Sequence, residues 1–271
     1  MLDLTDGSGR QGRPAMGRVI AIVNQKGGVG KTTTAVNLAA GLALRSRSTL
    51  LVDIDPQCSA TSGVGIRLGP GDLSTYEVLL GEAPADRALR RTMIPHLQVI
   101  GASGDLVGAE IELVGMGERE YQMRKALAAL RWRYDFVLID CPPSLGLITL
   151  NALTAADALL IPLQCEYYAL EGLSALLTTV RLVREKLNPD LEIDGLLLTM
   201  FDGRNTLSRQ VADDVRTHFP DKALNTVIPR NVRLSESPSH GLPSLLYDPS
   251  SKGAVAYARL TQELLGEVPG E

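Results

Sequence analysis

Short apolar runs alternate with longer amphipathic or alanine-rich stretches along most of this chain. The apolar runs are residues 19–23, 49–54, 97–101, 136–140, 158–162 and 193–200. They are almost uninterrupted, as expected of strands covered on both faces in a parallel sheet; a half-exposed strand would alternate. Between them the spacing turns helical. Residues 33–45 are apolar nearly all round, and residues 75–80 and 84–91 are shorter helix candidates. Residues 118–130 predict an amphipathic helix with Arg124 and Lys125 on its polar side. Leu170, Leu173, Leu176, Leu177, Val180, Val183 and Leu187 recur at helical spacing, a core-facing stripe. A further helix ends near His218, and residues 252–265 form an alanine-rich one. This alternation predicts an α/β fold, one doubly wound and mostly parallel sheet with helices on both faces, as a single domain over residues 18–265. Residues 1–17 are polar and glycine-rich, expected as a disordered extension with Met16 as an alternative start; residues 266–271 form a short tail.

Composition narrows the setting. The 271 residues are 45% apolar but only 4% aromatic, so the core is aliphatic. No apolar run approaches the roughly 18 residues needed to cross a bilayer. Cys58, Cys141 and Cys165 form no CxxC pair, which fits a reducing compartment. A net charge of −4 excludes a surface coated in basic residues. Any nucleic-acid contact must come from a local patch, one assembled from two subunits.

Candidate chemistry collects where the predicted strands end. Asn24-Gln25-Lys26-Gly27-Gly28-Val29-Gly30-Lys31-Thr32-Thr33 lies between the first strand and the first helix. Strand, glycine loop, helix is the order that a phosphate-binding loop requires. The glycines let backbone N–H groups converge on an anion, and the helix adds its positive end. Lys31 is placed to reach the outer phosphates of ATP, and the Thr32 hydroxyl to complete the coordination of Mg²⁺. The second strand ends in Asp53 and Asp55, where α/β folds hold ligands; for Asp53 a turn or cap carboxylate is an equal reading. Four apolar residues run into Asp140, the pattern of a carboxylate that holds Mg²⁺ through water. Pro142 and Pro143 stiffen the turn that follows, and Gly146 is expected to supply backbone freedom there.

One departure from the common loop is informative. Gln25 stands where the first glycine usually does, and a second lysine, Lys26, follows it. This Lys-Gly-Gly-x-Gly-Lys-Thr-Thr box is the deviant Walker A form, and here the chain resembles the ParA/MinD family of ATPases. Asp55-Pro56-Gln57-Cys58-Ser59-Ala60-Thr61 is similar to the family's first switch, with Cys58 and Ser59 where the family has Gly and Asn. Asp140 to Gly146 matches the second switch without departure. Residues 228–238 resemble the family's base-side loop and differ from it at Ser237.

The resemblance spans residues 16–265 and implies a site. Lys26, Lys31 and Asp55 are its catalytic residues, Lys26 reaching across a dimer interface to the partner's nucleotide and Asp55 orienting the attacking water. Gly27, Gly28, Val29, Gly30, Lys31, Thr32 and Thr33 wrap the phosphates of ATP, and Thr32 and Asp140 hold Mg²⁺. Pro229 and Asn231 contact adenine, and Glu166 touches the partner's ribose. The closest family members are chromosome and plasmid partition ATPases. That implies an ATP-state homodimer bound to double-stranded DNA without sequence preference through Arg204 and Arg233. It also implies a ParB/Spo0J-like partner that stimulates slow hydrolysis, and a cytoplasmic, nucleoid-associated protein that stays off the membrane. Lys/Arg and Asp/Glu nearly balance over residues 181–260, so charge alone adds little support. A membrane-cycling regulator of the MinD type needs a basic amphipathic C-terminal helix, whereas the end from Gln262 is acidic and broken by Gly and Pro. A redox or metabolic ATPase with a bridging cluster needs cysteines at a recognisable spacing, and none is present.

Overall fold

The computed structural model describes residues 16–267 apart from Tyr168. The expected extension therefore falls almost wholly, and the tail partly, outside the described residues. Among the described residues eight strands form one sheet: β1 Arg18–Ile22, β2 Thr49–Asp53, β3 Leu89–Arg91, β4 Leu97–Ile100, β5 Phe136–Asp140, β6 Ala158–Gln164, β7 Glu192–Phe201 and β8 Ala223–Pro229. Their order is β3-β4-β2-β5-β1-β6-β7-β8. Every pairing is parallel except that of β3 with β4.

Period-two alternation within the apolar runs divides the core in two. Val19 and Ala21 of β1 and Val23 just beyond it, with Val137 and Ile139 of β5, face one side. There they pack with Leu106 and Leu113, Met123, Ala152, Leu173 and Val180 from the helices Leu106–Val114, Gln122–Ala128, Leu147–Ala155 and Ala169–Lys186. Ile20 and Ile22, with Leu138, face the other. That side is covered by Leu38 and Leu42 of the helix Lys31–Leu44 and by Tyr257 and Leu260 of the helix Lys252–Leu264. The strands β1, β2, β5 and β6 are thus buried on both faces, which is why their sequences read as runs.

The chain winds outward from the centre of the sheet, to β2 on one side and later to β6 on the other. The crevice at the carboxyl ends of β5, β1 and β6 is therefore a topological switch point, where such sheets bind ligands.

Three local expectations are corrected. Residues 84–91 are not a helix: a single 3₁₀ turn, Ala85–Ala88, gives way to β3, because Leu89 and Arg91 pair antiparallel with Ile100 and Gln98. The helix expected over 118–130 is only Gln122–Ala128, since Glu118 takes a left-handed φ of 51° that no helix continues through. The helix Leu106–Val114 was absent from the apolar pattern. Leu106, Ala109 and Leu113 are buried, but Val107, Ile111 and Val114 on its outer side are also apolar, which erases the amphipathic signature.

Candidate functional site

The glycine loop leaves β1 and opens into the helix Lys31–Leu44. Gly28 (φ 73°) and Gly30 (φ 89°) occupy the left-handed region that side chains resist, and they turn the backbone through a tight arc. A Cβ on Gly27 or Gly28 would meet nothing within 4 Å, so the outer side of the loop is open. Gly30 is the N-cap and supplies no side-chain acceptor, which leaves the first helical N–H groups for a ligand.

Three polar side chains fix the loop from beneath. Asn24, buried, donates to the Pro162 carbonyl (2.7 Å) and accepts from the Lys26 N–H (3.0 Å). Lys31 Nζ donates to the Lys26 carbonyl at 3.1 Å. Thr199, at the far end of β7, donates to the Val29 carbonyl at 2.9 Å.

Beside the loop stand three carboxylates. Asp53 and Asp140 are register partners at the ends of β2 and β5. Asp53 accepts from the Thr61 N–H (2.8 Å), the Thr61 hydroxyl (2.7 Å) and the Asp55 N–H (3.1 Å), so it anchors the first switch. Of its two readings, the structural one holds. Burial pushes the Asp53 carboxyl up to about 6 despite those hydrogen bonds. Asp55, nearly buried, accepts from the Gln57 N–H at 2.9 Å.

Asp140 differs from both. It is fully buried, yet neither of its oxygens has a hydrogen-bond partner among the described residues. Burial raises its carboxyl well above the ordinary range and Asp53 adds to that, while the Thr32 hydroxyl and the Lys31 ammonium pull the other way. Burial likewise pushes the Lys31 ammonium down, opposed chiefly by Asp140. A buried carboxylate without donors, next to two others and a hydroxyl, is the chemistry of a site for a hard divalent cation. Among the described residues no three acidic, imidazole or thiol groups close into a metal cage. That suits Mg²⁺, which takes one or two protein oxygens and completes its shell with phosphates and water.

Lys26 and Glu166, both expected at a partner's nucleotide, meet each other within this subunit. Lys26 Nζ lies 2.8 Å from Glu166 Oε2, with the side chains 40% and 46% exposed. Glu166 also accepts from the Gln164 amide. Pro229 and Asn231 line a cavity of about 260 Å³ together with Gly30, Thr33, Thr199 and Met200, directly beside the loop. Asn231 also caps the turn Val232–Glu236, accepting from the Arg233 N–H at 2.9 Å. Arg204 is 92% exposed and grips Asp202 with two bonds of 3.0 and 2.9 Å. Arg233 pairs with Glu236 (2.7 Å) and Asp248 (3.2 Å). Both arginines are engaged by carboxylates, with which a phosphate would compete.

Both switches depart in detail from expectation. Cys58, where the family has Gly, holds the turn in place with a φ of 55°. Gly146 is not there for backbone freedom, since its φ of −82° suits any residue. A Cβ there would instead strike the Glu110 carboxylate at 1.8 Å. The three cysteines are free, and Cys141 and Cys165 are buried.

Sequence reasoning missed Thr199 as part of the site. It lies 170 residues from its partner and in no motif, so nothing short of the fold reveals it.

Residues 17–193 match a family model described as an AAA domain. The chain is 55% identical to the chromosome partitioning protein ParA of Myxococcus xanthus, over 97% of this chain and 93% of that one. It is 56% identical to the sporulation initiation inhibitor protein Soj of Bacillus subtilis, over 92% of this chain and 98% of that one. A solved structure described as cobyrinic acid a,c-diamide synthase from Mycobacterium smegmatis, with bound ADP and magnesium, superposes with a TM-score of 0.81 at 42% identity. It covers 92% of this chain and 94% of that one. With these identities over nearly its whole length, and with the deviant lysine loop on this sheet, the chain belongs to the ParA/Soj family of chromosome-partitioning ATPases.

Proposed function

We infer that residues 18–265 act as one ATP-driven switch for DNA partition. Two copies close over two molecules of ATP, the pair binds double-stranded DNA without regard to sequence, and hydrolysis releases it. A ParB/Spo0J-like protein on the DNA to be moved accelerates that slow hydrolysis, and the protein resides in the cytoplasm on the nucleoid. The observation that carries this reading is the unsatisfied carboxylate of Asp140 beneath an open glycine loop.

The residues divide the work as follows. Backbone N–H groups of Gly27 to Thr33 bind the phosphates, and Lys31 neutralises them from the same subunit. Thr32 and Asp140 would hold Mg²⁺, which supplies charge neutralisation to the phosphates. Asp55, tied down by Gln57, orients the attacking water. Pro229 and Asn231 wall the base. Lys26 lends its charge to the neighbouring subunit's nucleotide, and Glu166 reaches the neighbour's ribose. Both roles require the pair to part. An ion pair between half-exposed side chains is worth at most about 1 kcal/mol, so the exchange is cheap. Arg204 and Arg233 exchange their carboxylates for DNA phosphates on the same terms.

The test is a DNA gel shift with ATP, with ADP and without nucleotide, for the wild type and for Arg233→Glu. Binding is expected only with ATP, weakening steeply with salt and lost in the variant. Equal binding without nucleotide would contradict the switch.

A further inference from the structure

We propose that Thr199 is a positioning residue of the nucleotide site, one that aims the Gly30 N–H at the bound phosphate. The inference rests on the reading of the glycine loop as an ATP site and adds to it a residue outside every motif.

The geometry is that of a single peptide plane. The Val29–Gly30 peptide plane is set by Val29 ψ and Gly30 φ. Gly30, in the left-handed region at φ 89°, resists a change of φ less than any other residue, so the loop's own backbone does little to fix that plane. The bond is trans, and in a trans peptide the carbonyl and the N–H point in opposite directions. The Thr199 hydroxyl donates to the Val29 carbonyl at 2.9 Å from beneath the loop. The Gly30 N–H is thereby turned away from the Thr199 hydroxyl, and among the described residues it meets no backbone acceptor.

Thr199 is itself buried and tied into the sheet. It is 2% exposed, pairs in register with Gln164 on β6, and its carbonyl accepts from the Cys165 N–H at 3.2 Å. β7 ends just beyond it. Met200 adopts a left-handed φ of 50°, and the pairing with β8 loses regular register between Leu198 and Phe201. That bend brings Thr199 against both the loop and the cavity lined by Pro229 and Asn231. Its methyl carbon stands 3.9 Å from where a Cβ of Gly30 would lie. One side chain therefore walls the base cavity with carbon and sets the phosphate loop with oxygen.

Thr199→Val keeps the shape and removes the hydroxyl; Thr199→Ser keeps the hydroxyl; Thr199→Ala is a second hydroxyl-free variant should valine prevent folding. The experiment is calorimetric binding of ADP and of inorganic pyrophosphate, each with Mg²⁺, to the wild type and the three variants. Losing one hydrogen bond that orients a ligand-binding amide is expected to weaken binding about three- to tenfold. Valine, which keeps the methyl carbon, should weaken ADP and pyrophosphate by the same factor, because the effect lies at the phosphates; alanine should weaken pyrophosphate by that factor too, and serine should bind pyrophosphate as the wild type does. Unchanged binding in the hydroxyl-free variants would overturn the proposal. So would a loss confined to ADP, which would reduce Thr199 to a wall of the base cavity. A wild type that binds neither ligand would overturn the nucleotide site, and this proposal with it.

Discussion

Replacing Asp140 by asparagine should make the nucleotide-free protein more stable while destroying its response to Mg²⁺. The side chain is fully buried with both oxygens unpartnered, and its carboxyl is pushed well above the ordinary range by burial and by Asp53. Leaving a buried polar group unsatisfied costs about 1–3 kcal/mol, and more if it carries charge. Asparagine has nearly the same shape and leaves a neutral amide unsatisfied instead of a charge, so where Asp140 is ionised the charge part of that cost, about 1–2 kcal/mol, should be recovered. In a protein of this size each kcal/mol moves the melting temperature by about 2–4 °C, giving an expected rise of about 2–8 °C. Ligand at a hundred times its Kd adds about 2.7 kcal/mol to the wild type. In Asp140→Asn the part of that increment due to Mg²⁺ should vanish, leaving what ADP alone provides. Scanning calorimetry with buffer, ADP, and ADP plus Mg²⁺ separates the three quantities. A ligand-free variant that melts at or below the wild type, or that keeps the Mg²⁺ increment, would refute the assignment of Asp140 as an orphan awaiting a cation.

Two further predictions follow from the same site. Because the folded Asp53 and Asp140 carboxyls titrate above their unfolded values, the folded state holds those protons more tightly. Their contribution to stability is then fully present below pH 3.8 and lost as pH rises through the raised carboxyls, about 6 for Asp53. Asp53 is common to both proteins, so the melting temperature of the ligand-free wild type minus that of Asp140→Asn should fall as pH rises above 3.8; a flat difference would contradict the shift. Cys58 sits in the left-handed region at a cost of roughly 1–2 kcal/mol, part of which glycine returns to the flexible unfolded chain. Cys58→Gly should raise the free energy of unfolding by about 1 kcal/mol, read as a higher denaturation midpoint at unchanged m-value. A lower midpoint would mean that the cysteine's packing outweighs its backbone strain.

How much of this was legible depended on where the physical signal lay. β1, β2 and β5 were readable because burial on both faces leaves an unbroken apolar run. β3 was not, since its Leu-Arg-Arg carries neither run nor alternation and exists only by pairing with β4. The glycine loop and Asp140 were readable because phosphate and Mg²⁺ chemistry demands those residue types at those spacings. The bond from Thr199 to Val29 and the ion pair between Lys26 and Glu166 join distant segments, so only the fold reveals them. Asp53 shows the intermediate case. The sequence placed it at a strand end with two readings, and Thr61 decided for the anchor.

The central claim is that Lys26 serves the other subunit's nucleotide although it rests on Glu166 in its own. Sedimentation velocity with Mg²⁺-ATP, for the wild type and for Lys26→Ala, tests it most directly. The account predicts an ATP-dependent dimer for the wild type and a monomer that still binds ATP for the variant. A wild type that stays a single subunit with ATP, or a variant that dimerises normally, would contradict it.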